Sequence, residues 1–184
     1  MGRMKIVGLA GKARAGKTTV AMRLVDQHGY GDYAFAEPIK RGLREMFGLS
    51  DEQLYMAEKD SVVPWLGVTP RYLAQTLGTE WGRDTVANDL WIRCAERWLQ
   101  AVPRYWPGIV FSDVRFEDEA AFVRRHGGLM VHVRREAAQA VEGHKSEFGI
   151  DVLDGDLVLH NDGDLAALYS LVDDLLMPGY TGYA

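Results

Sequence analysis

The chain has 184 residues, 47% of them apolar, which is enough for one domain with its own core. A formal net charge of −5 argues against a general nucleic-acid binder, which carries a basic balance, but leaves room for a local basic groove. Cys94 is the single cysteine and the five histidines are scattered, which excludes a disulfide framework and a Cys-rich zinc site. No apolar run approaches the ~18 residues of a membrane span and no signal-peptide core opens the chain, so a cytoplasmic protein is expected.

Met4 to Ala10 is a short, nearly continuous apolar run closed by glycine, the pattern of a parallel strand buried on both faces. A helix follows from Thr19 to His28, with Val20, Ala21, Leu24 and Val25 facing inward and Gly29 as its stop. Tyr33 to Ala36 predicts a second strand. Pro38 suits the first turn of a helix running to about Phe47. Ser50-Asp51-Glu52-Gln53 has the form of a capping box before another short helix. Lys59 to Val68 has no clear period and reads as loop.

Thr69-Pro70 combines an N-cap hydroxyl with proline at the first helical position, and Gly78 is expected to stop that helix. Asn88 is expected to cap the next one, whose Trp91, Ala95, Trp98 and Leu99 mark a core-facing stripe. Gly108 to Asp113 reads as a third strand ending in a carboxylate. A helix from Glu117 to Arg125 leads into a fourth strand, Leu129 to Val133. Arg134 to Gly149 is polar, without a clean period, and reads as a mobile lid. Asp156 to His160 is a fifth strand, Asn161-Asp162-Gly163 a turn, and Leu165 to Leu175 a closing helix that Pro178 ends.

Strands alternating with helices predict an α/β fold with a parallel sheet covered on both faces. No repeat or linker interrupts the chain, so residues 1–184 read as a single domain. Residues 37–102 form a helical insertion large enough to hold a second substrate. Trp65 and Trp106 leave two alternatives open, core packing or a homodimer contact.

Gly11-Lys12-Ala13-Arg14-Ala15-Gly16-Lys17-Thr18 fits G-x-x-x-x-G-K-[ST] and stands between the first strand and the first helix. The glycines let the backbone fold so that its N–H groups and the helix N-terminus face an anionic phosphate. Lys17 can then reach the outer phosphates of a nucleoside triphosphate such as ATP, and the Thr18 hydroxyl can hold Mg²⁺. Arg14 departs from the small residues expected inside such a loop. Asp113, at the end of an apolar strand, is expected to face Thr18 across the metal; a helix cap or a partner for Arg115 is the alternative. Arg115 leaves the same strand end.

No guanine-reading Asn-Lys-x-Asp is present, which argues against a GTPase, and the chain is short for a motor or AAA-type ATPase. A small-molecule kinase needs the parts seen: a phosphate loop, an acceptor-binding insertion, arginines between the substrates, and a lid that excludes water. A kinase of another small metabolite, and a regulatory module that binds ATP without transfer, stay open beside it.

An ordered set of segments spans nearly the whole chain: the loop Gly11 to Thr18, Thr69-Pro70-Arg71, Leu73 to Arg83, Ser112-Asp113-Val114-Arg115-Phe116 with Glu119, Gly127-Gly128 before a strand ending in Arg134, His144-x-Ser146-Glu147, and Asn161-Asp162-Gly163. With this set the chain resembles the deoxynucleoside monophosphate kinases of tailed bacteriophages. The resemblance implies a three-layer P-loop kinase fold with a five-stranded parallel sheet, and transfer of the ATP γ-phosphoryl group to a deoxynucleoside 5′-monophosphate. It also implies a phage genome that supplies its own DNA precursors, and hence the host cytoplasm as location. Lys17, Arg115, Arg134 and Asp113 take the catalytic roles, with Arg135 a close neighbour of Arg134. Gly11, Arg14, Ala15, Gly16, Lys17, Thr18 and Thr19 hold the donor, with Asn161 near its adenine edge. Arg71 and Arg83 clamp the acceptor phosphate, Gln75 reads a base edge, Trp81 stacks on a base or is buried, and Glu37 and Lys40 touch the acceptor or else serve as helix-capping and solvent-facing residues. His144, Ser146 and Glu147 fall in the lid without individual roles.

Overall fold

The structure, a computed structural model, describes residues 4–102, 105–137 and 150–175. Five strands, β1 (Lys5–Ala10), β2 (Gly31–Tyr33), β3 (Gly108–Phe111), β4 (Leu129–Arg134) and β5 (Leu157–His160), form one sheet in the order β2-β3-β1-β4-β5. Every pairing is parallel. The register puts Val7 opposite Val110, Leu9 opposite Val131 and Val133 opposite Leu159, so these side chains share one face. On that face they bury Val20, Ala21 and Leu24 of α1 (Lys17–His28) and Leu168 and Val172 of α7 (Leu165–Asp174).

The opposite face meets α6 (Glu117–Arg125). A Cβ on Gly8 would lie 2.5 Å from the Met130 Sδ and 3.0 Å from Val123, so glycine there lets α6 approach. Phe111 and Phe122 pack edge to face at 5.3 Å. Helices on both faces explain why the strands read as unbroken apolar runs instead of alternating ones.

β2 lies at residues 31–33, earlier than the expected Tyr33–Ala36. The Ser112 N–H donates to the Tyr33 carbonyl at 3.1 Å, which closes the ladder there. Ala36 is already helical (φ −80°, ψ −5°) as the N-cap of α2 (Glu37–Phe47), whose Pro38 sits in the first turn.

Compactness separates residues Phe35–Ala101 as a second unit. It holds α2, α3 (Asp51–Tyr55), a 3₁₀ turn (Ala57–Asp60), α4 (Pro70–Thr76), a wide π-helical segment (Leu77–Val86) and α5 (Leu90–Ala101). Its core is Ile39, Leu43, Leu49, Leu54, Val63 and Trp91. Ser50 and Gln53 form the expected capping box, and the Thr69 hydroxyl caps α4 through the Tyr72 N–H. The stretch expected as loop contains the 3₁₀ turn and an antiparallel bridge between Val63 and Val68.

The helical path does not stop at Gly78. It continues with i→i+5 spacing, as in the Ala87 N–H bond to the Gly82 carbonyl at 3.0 Å. Trp91 is seated against this segment: its Nε1–H donates to the Gly78 carbonyl at 2.7 Å, and Gly82 makes room for its ring, from which a Cβ there would lie 2.5 Å away. α5 starts one residue later than expected, because the Asp89 carbonyl takes the Arg93 N–H while the Asn88 carbonyl accepts from Arg83.

Candidate active site

The loop after β1 has three residues with positive φ: Gly11 (142°), Arg14 (63°) and Gly16 (107°). At Gly11 a Cβ would lie 2.2 Å from the Val133 carbonyl oxygen, so this glycine is needed for contact with β4 as well as for its φ. Gly16 leads into α1 with no side-chain cap and no acidic residue in the first turn, which leaves the positive helix end for an anion. The Lys17 ammonium donates to the carbonyls of Gly11 at 2.5 Å and Lys12 at 2.9 Å, which holds it over the loop.

A cavity of about 530 Å³ opens beside this loop. Gly11, Lys12, Ala13, Ala15 and Lys17 line it after β1, Val114 and Arg115 after β3, His132 to Glu136 at the end of β4, and His160 and Asp162 at the end of β5. Ile150 completes it. Every one of these strand ends is a carboxyl end, where open parallel sheets place their ligands. Five cationic side chains, Lys12, Lys17, Arg115, Arg134 and Arg135, face two carboxylates, Glu136 and Asp162, so the cavity suits a polyanion.

Of the expected catalytic group, Lys17, Arg115 and Arg134 come together in this cavity. Asp113 is half-buried and outside the lining. It stands between Ser112, bonded to the end of β2, and Val114, whose N–H donates to the Leu9 carbonyl of β1 at 3.1 Å. Arg14 and Thr18 are exposed, and Thr19 is half-buried. His144, Ser146, Glu147 and most of the expected lid lie outside the described residues.

Arg115 is set in place by a residue whose role the sequence did not reveal. The buried Glu119 carboxylate accepts the backbone N–H groups of Arg115 (2.8 Å) and Phe116 (3.2 Å), fixing the turn that carries the arginine. Buried His132 is a second such residue. Its Nε2 lies 3.0 Å from the Asp156 carboxylate, which Arg124 grips at 2.6 Å and 3.1 Å. Burial alone raises the Asp156 pKa, but the Arg124, Leu153 N–H and His132 bonds outweigh it and hold the carboxyl below its ordinary value. A histidine inside an apolar strand carries no periodic signal, so only the cavity singles it out. Lys12, Glu136, His160 and Asp162 owe their places to the strand ends.

In the unit Phe35–Ala101, Arg71 grips the Asp60 carboxylate with two nitrogens, Nε and Nη2, the latter at 3.1 Å. That bond holds the Asp60 carboxyl below its ordinary value. The Tyr55 hydroxyl donates to Glu37 at 2.9 Å, and the Lys40 ammonium sits 4.2 Å from the centre of the Tyr55 ring. Burial first, and then the Glu37 carboxylate, push the Tyr55 hydroxyl up to about 12. The Arg83 Nη1 donates to the Asn88 carbonyl at 3.2 Å. Gln75 is half-buried, and Trp81 is exposed, not a core residue.

The family model for deoxynucleotide monophosphate kinases matches residues 65–172. The chain belongs to the deoxynucleotide monophosphate kinase family. A protein of Acanthamoeba polyphaga mimivirus, inferred to be a deoxynucleotide monophosphate kinase, is 32% identical over 182 residues, covering 92% of this chain and 94% of its own. The deoxynucleotide monophosphate kinase of Enterobacteria phage T4 is 30% identical over 107 residues, 58% of this chain and 44% of the phage protein. The deoxynucleoside-5′-monophosphate kinase of Escherichia phage T5 is 29% identical over 127 residues, 65% of this chain and 48% of that one. The chain thus spans about half the length of these phage family members. Among solved structures, TT1252 from Thermus thermophilus shares the fold at a TM-score of 0.54, with 18% identity over 95% of this chain and 97% of that one. The family match includes Arg71, Gln75, Arg83, Asp113, Arg115, Arg134 and Asn161 and begins after the phosphate loop.

Proposed function

We propose that this member of the family transfers the γ-phosphoryl group of ATP to a deoxynucleoside 5′-monophosphate, giving ADP and the diphosphate. The observation that carries the reading is the cavity in which Lys17, Arg115 and Arg134 converge on the phosphate loop. A phosphate monoester has its second pKa near ~6, so the acceptor is largely a dianion at neutral pH and its oxygen is already a nucleophile. Catalysis then reduces to aligning two polyanions and neutralising the charge of the transferring group. Lysine and arginine suffice for that part of the work, and no general base is required.

In this reading the loop from Gly11 to Thr19 binds the donor triphosphate, and Arg115 and Arg134 stabilise the transferring phosphoryl. Thr18 and Asp113 offer hard oxygen donors of the kind Mg²⁺ prefers, alongside phosphate oxygens and water. When bound there, Mg²⁺ would neutralise charge on the outer phosphates. The acceptor belongs to the insertion: Arg71 and Arg83 for its phosphate, Gln75 and Trp81 for its base, Glu37 and Lys40 beside it. The bidentate grip of Arg71 on Asp60 supports its part, since the same fork fits a phosphate. A lid role for residues 134–149 and a homodimer through exposed Trp65 belong to the same proposal.

A coupled assay of ADP release across the deoxynucleoside monophosphates tests the reading. At least one acceptor is expected to raise the rate well above that without acceptor. Equal rates with and without every acceptor would overturn it in favour of another substrate or of ATP binding without transfer.

A further inference from the structure

Asn161 is the first residue after β5, and its side chain runs back under the phosphate loop. Its Nδ2 donates to the Ala15 carbonyl at 2.8 Å, and the residue is only 7% exposed. A carbonyl only accepts, so the NH₂ of the amide must be the end that faces the loop. The next residue supplies the space: a Cβ on Gly16 would lie 2.4 Å from that same Nδ2. The backbone N–H of Asn161 donates to the Arg134 carbonyl at 2.7 Å. One buried residue therefore joins the loop to the strand end that bears Arg134.

The peptide between Ala15 and Gly16 is planar and trans, so its C=O and N–H point in opposite directions. Holding the carbonyl on Asn161 directs the Gly16 N–H to the far side, and Ala15 itself lines the cavity. We infer that Asn161 is a positioning residue for the triphosphate: it orients the loop peptide that meets the phosphates and makes no contact with the donor base. The inference rests on the loop being the donor site, as proposed above, and replaces the expectation that Asn161 lies at the adenine edge.

The test is calorimetric binding of ATP, GTP and inorganic tripolyphosphate, each with Mg²⁺, to the wild type, Asn161→Ala and Asn161→Asp. Removing one buried hydrogen bond should weaken binding about tenfold. The loss should have the same factor for all three ligands, because tripolyphosphate has no base to lose. Asn161→Asp keeps the shape but sets an acceptor against the Ala15 carbonyl, so it should lose at least as much and serves if the alanine variant does not fold. In turnover the KM for ATP should rise while that for the monophosphate stays; a merely structural lesion would spare neither substrate. Unchanged tripolyphosphate affinity, or a loss confined to ATP, would overturn the inference. Wild-type protein that binds tripolyphosphate yet forms no diphosphate product would overturn the kinase reading and leave this one standing. Failure of the wild type to bind tripolyphosphate would overturn both.

Discussion

Lys17 rests on the carbonyls of Gly11 and Lys12, so its ammonium is already held above the loop to which the proposed function assigns the triphosphate. Lys17→Ala is expected to abolish transfer, read as ADP release, without lowering the melting temperature. Arg115 and Arg134 approach the same cavity from two different strand ends. Arg115→Ala and Arg134→Ala should each lower kcat by on the order of 10³, the scale of a transition-state arginine, with a smaller change in ATP affinity. A steady-state comparison of kcat with the ATP dissociation constant checks the split. These three residues were legible because the loop motif and the strand ends have sequence signatures. The role of Glu119, although the residue stands in the segment that carries the resemblance, and the place of His132 were not, since a carboxylate that holds a backbone turn and a histidine inside a strand look like any other polar residue until the chain is folded.

The elements were legible where one physical signal dominated. Strands buried on both faces read as apolar runs, and the caps at Ser50, Thr69 and Gly29 were marked by their own residue types. The π-helical segment was missed because Gly78 resembles a stop signal, whereas the helical path runs through it, its carbonyl takes the Trp91 Nε1–H, and Gly82 leaves space for the Trp91 ring. Trp91→Phe should therefore cost about 1–3 kcal/mol, since it leaves the Gly78 carbonyl without its donor, and thermal melting would show it.

A second prediction concerns α1 and α7. Arg23 donates to Asp173 at 2.7 Å and 3.0 Å, and His28 lies 2.8 Å from the same carboxylate. The Arg23 bond first, and then the His28 bond, lower the Asp173 pKa from 3.8 to about 2. A carboxyl depressed on folding contributes its stability above its unfolded pKa and loses it as the pH falls through the folded value. The contribution should be full above about pH 4 and fade toward pH 2, and it should be absent in Asp173→Asn. Denaturant titrations of the two proteins across that interval measure the difference. Convergence of the two stabilities toward pH 2 is expected, and parallel curves would contradict it.

At the scale of the whole molecule, a net charge of −5 coexists with a cavity where five cationic side chains face two carboxylates. The total charge says nothing of such a site, because the basic residues gather only when four strand ends are brought together. The phosphate loop was readable as a linear motif; the cavity was not, since its walls come from positions 11 to 162 of the chain. The insertion Phe35–Ala101 is a compact unit with its own core, an exposed Trp81 and an Arg71 paired with Asp60, the residues to which the proposed function gives the acceptor.

The most direct measurement incubates the protein with ATP, Mg²⁺ and each deoxynucleoside 5′-monophosphate and separates the nucleotides by anion exchange. Deoxynucleoside diphosphate and ADP should appear in equal amounts with at least one acceptor, and neither should appear with Lys17→Ala. ADP accumulating in the absence of any deoxynucleoside diphosphate would contradict the account.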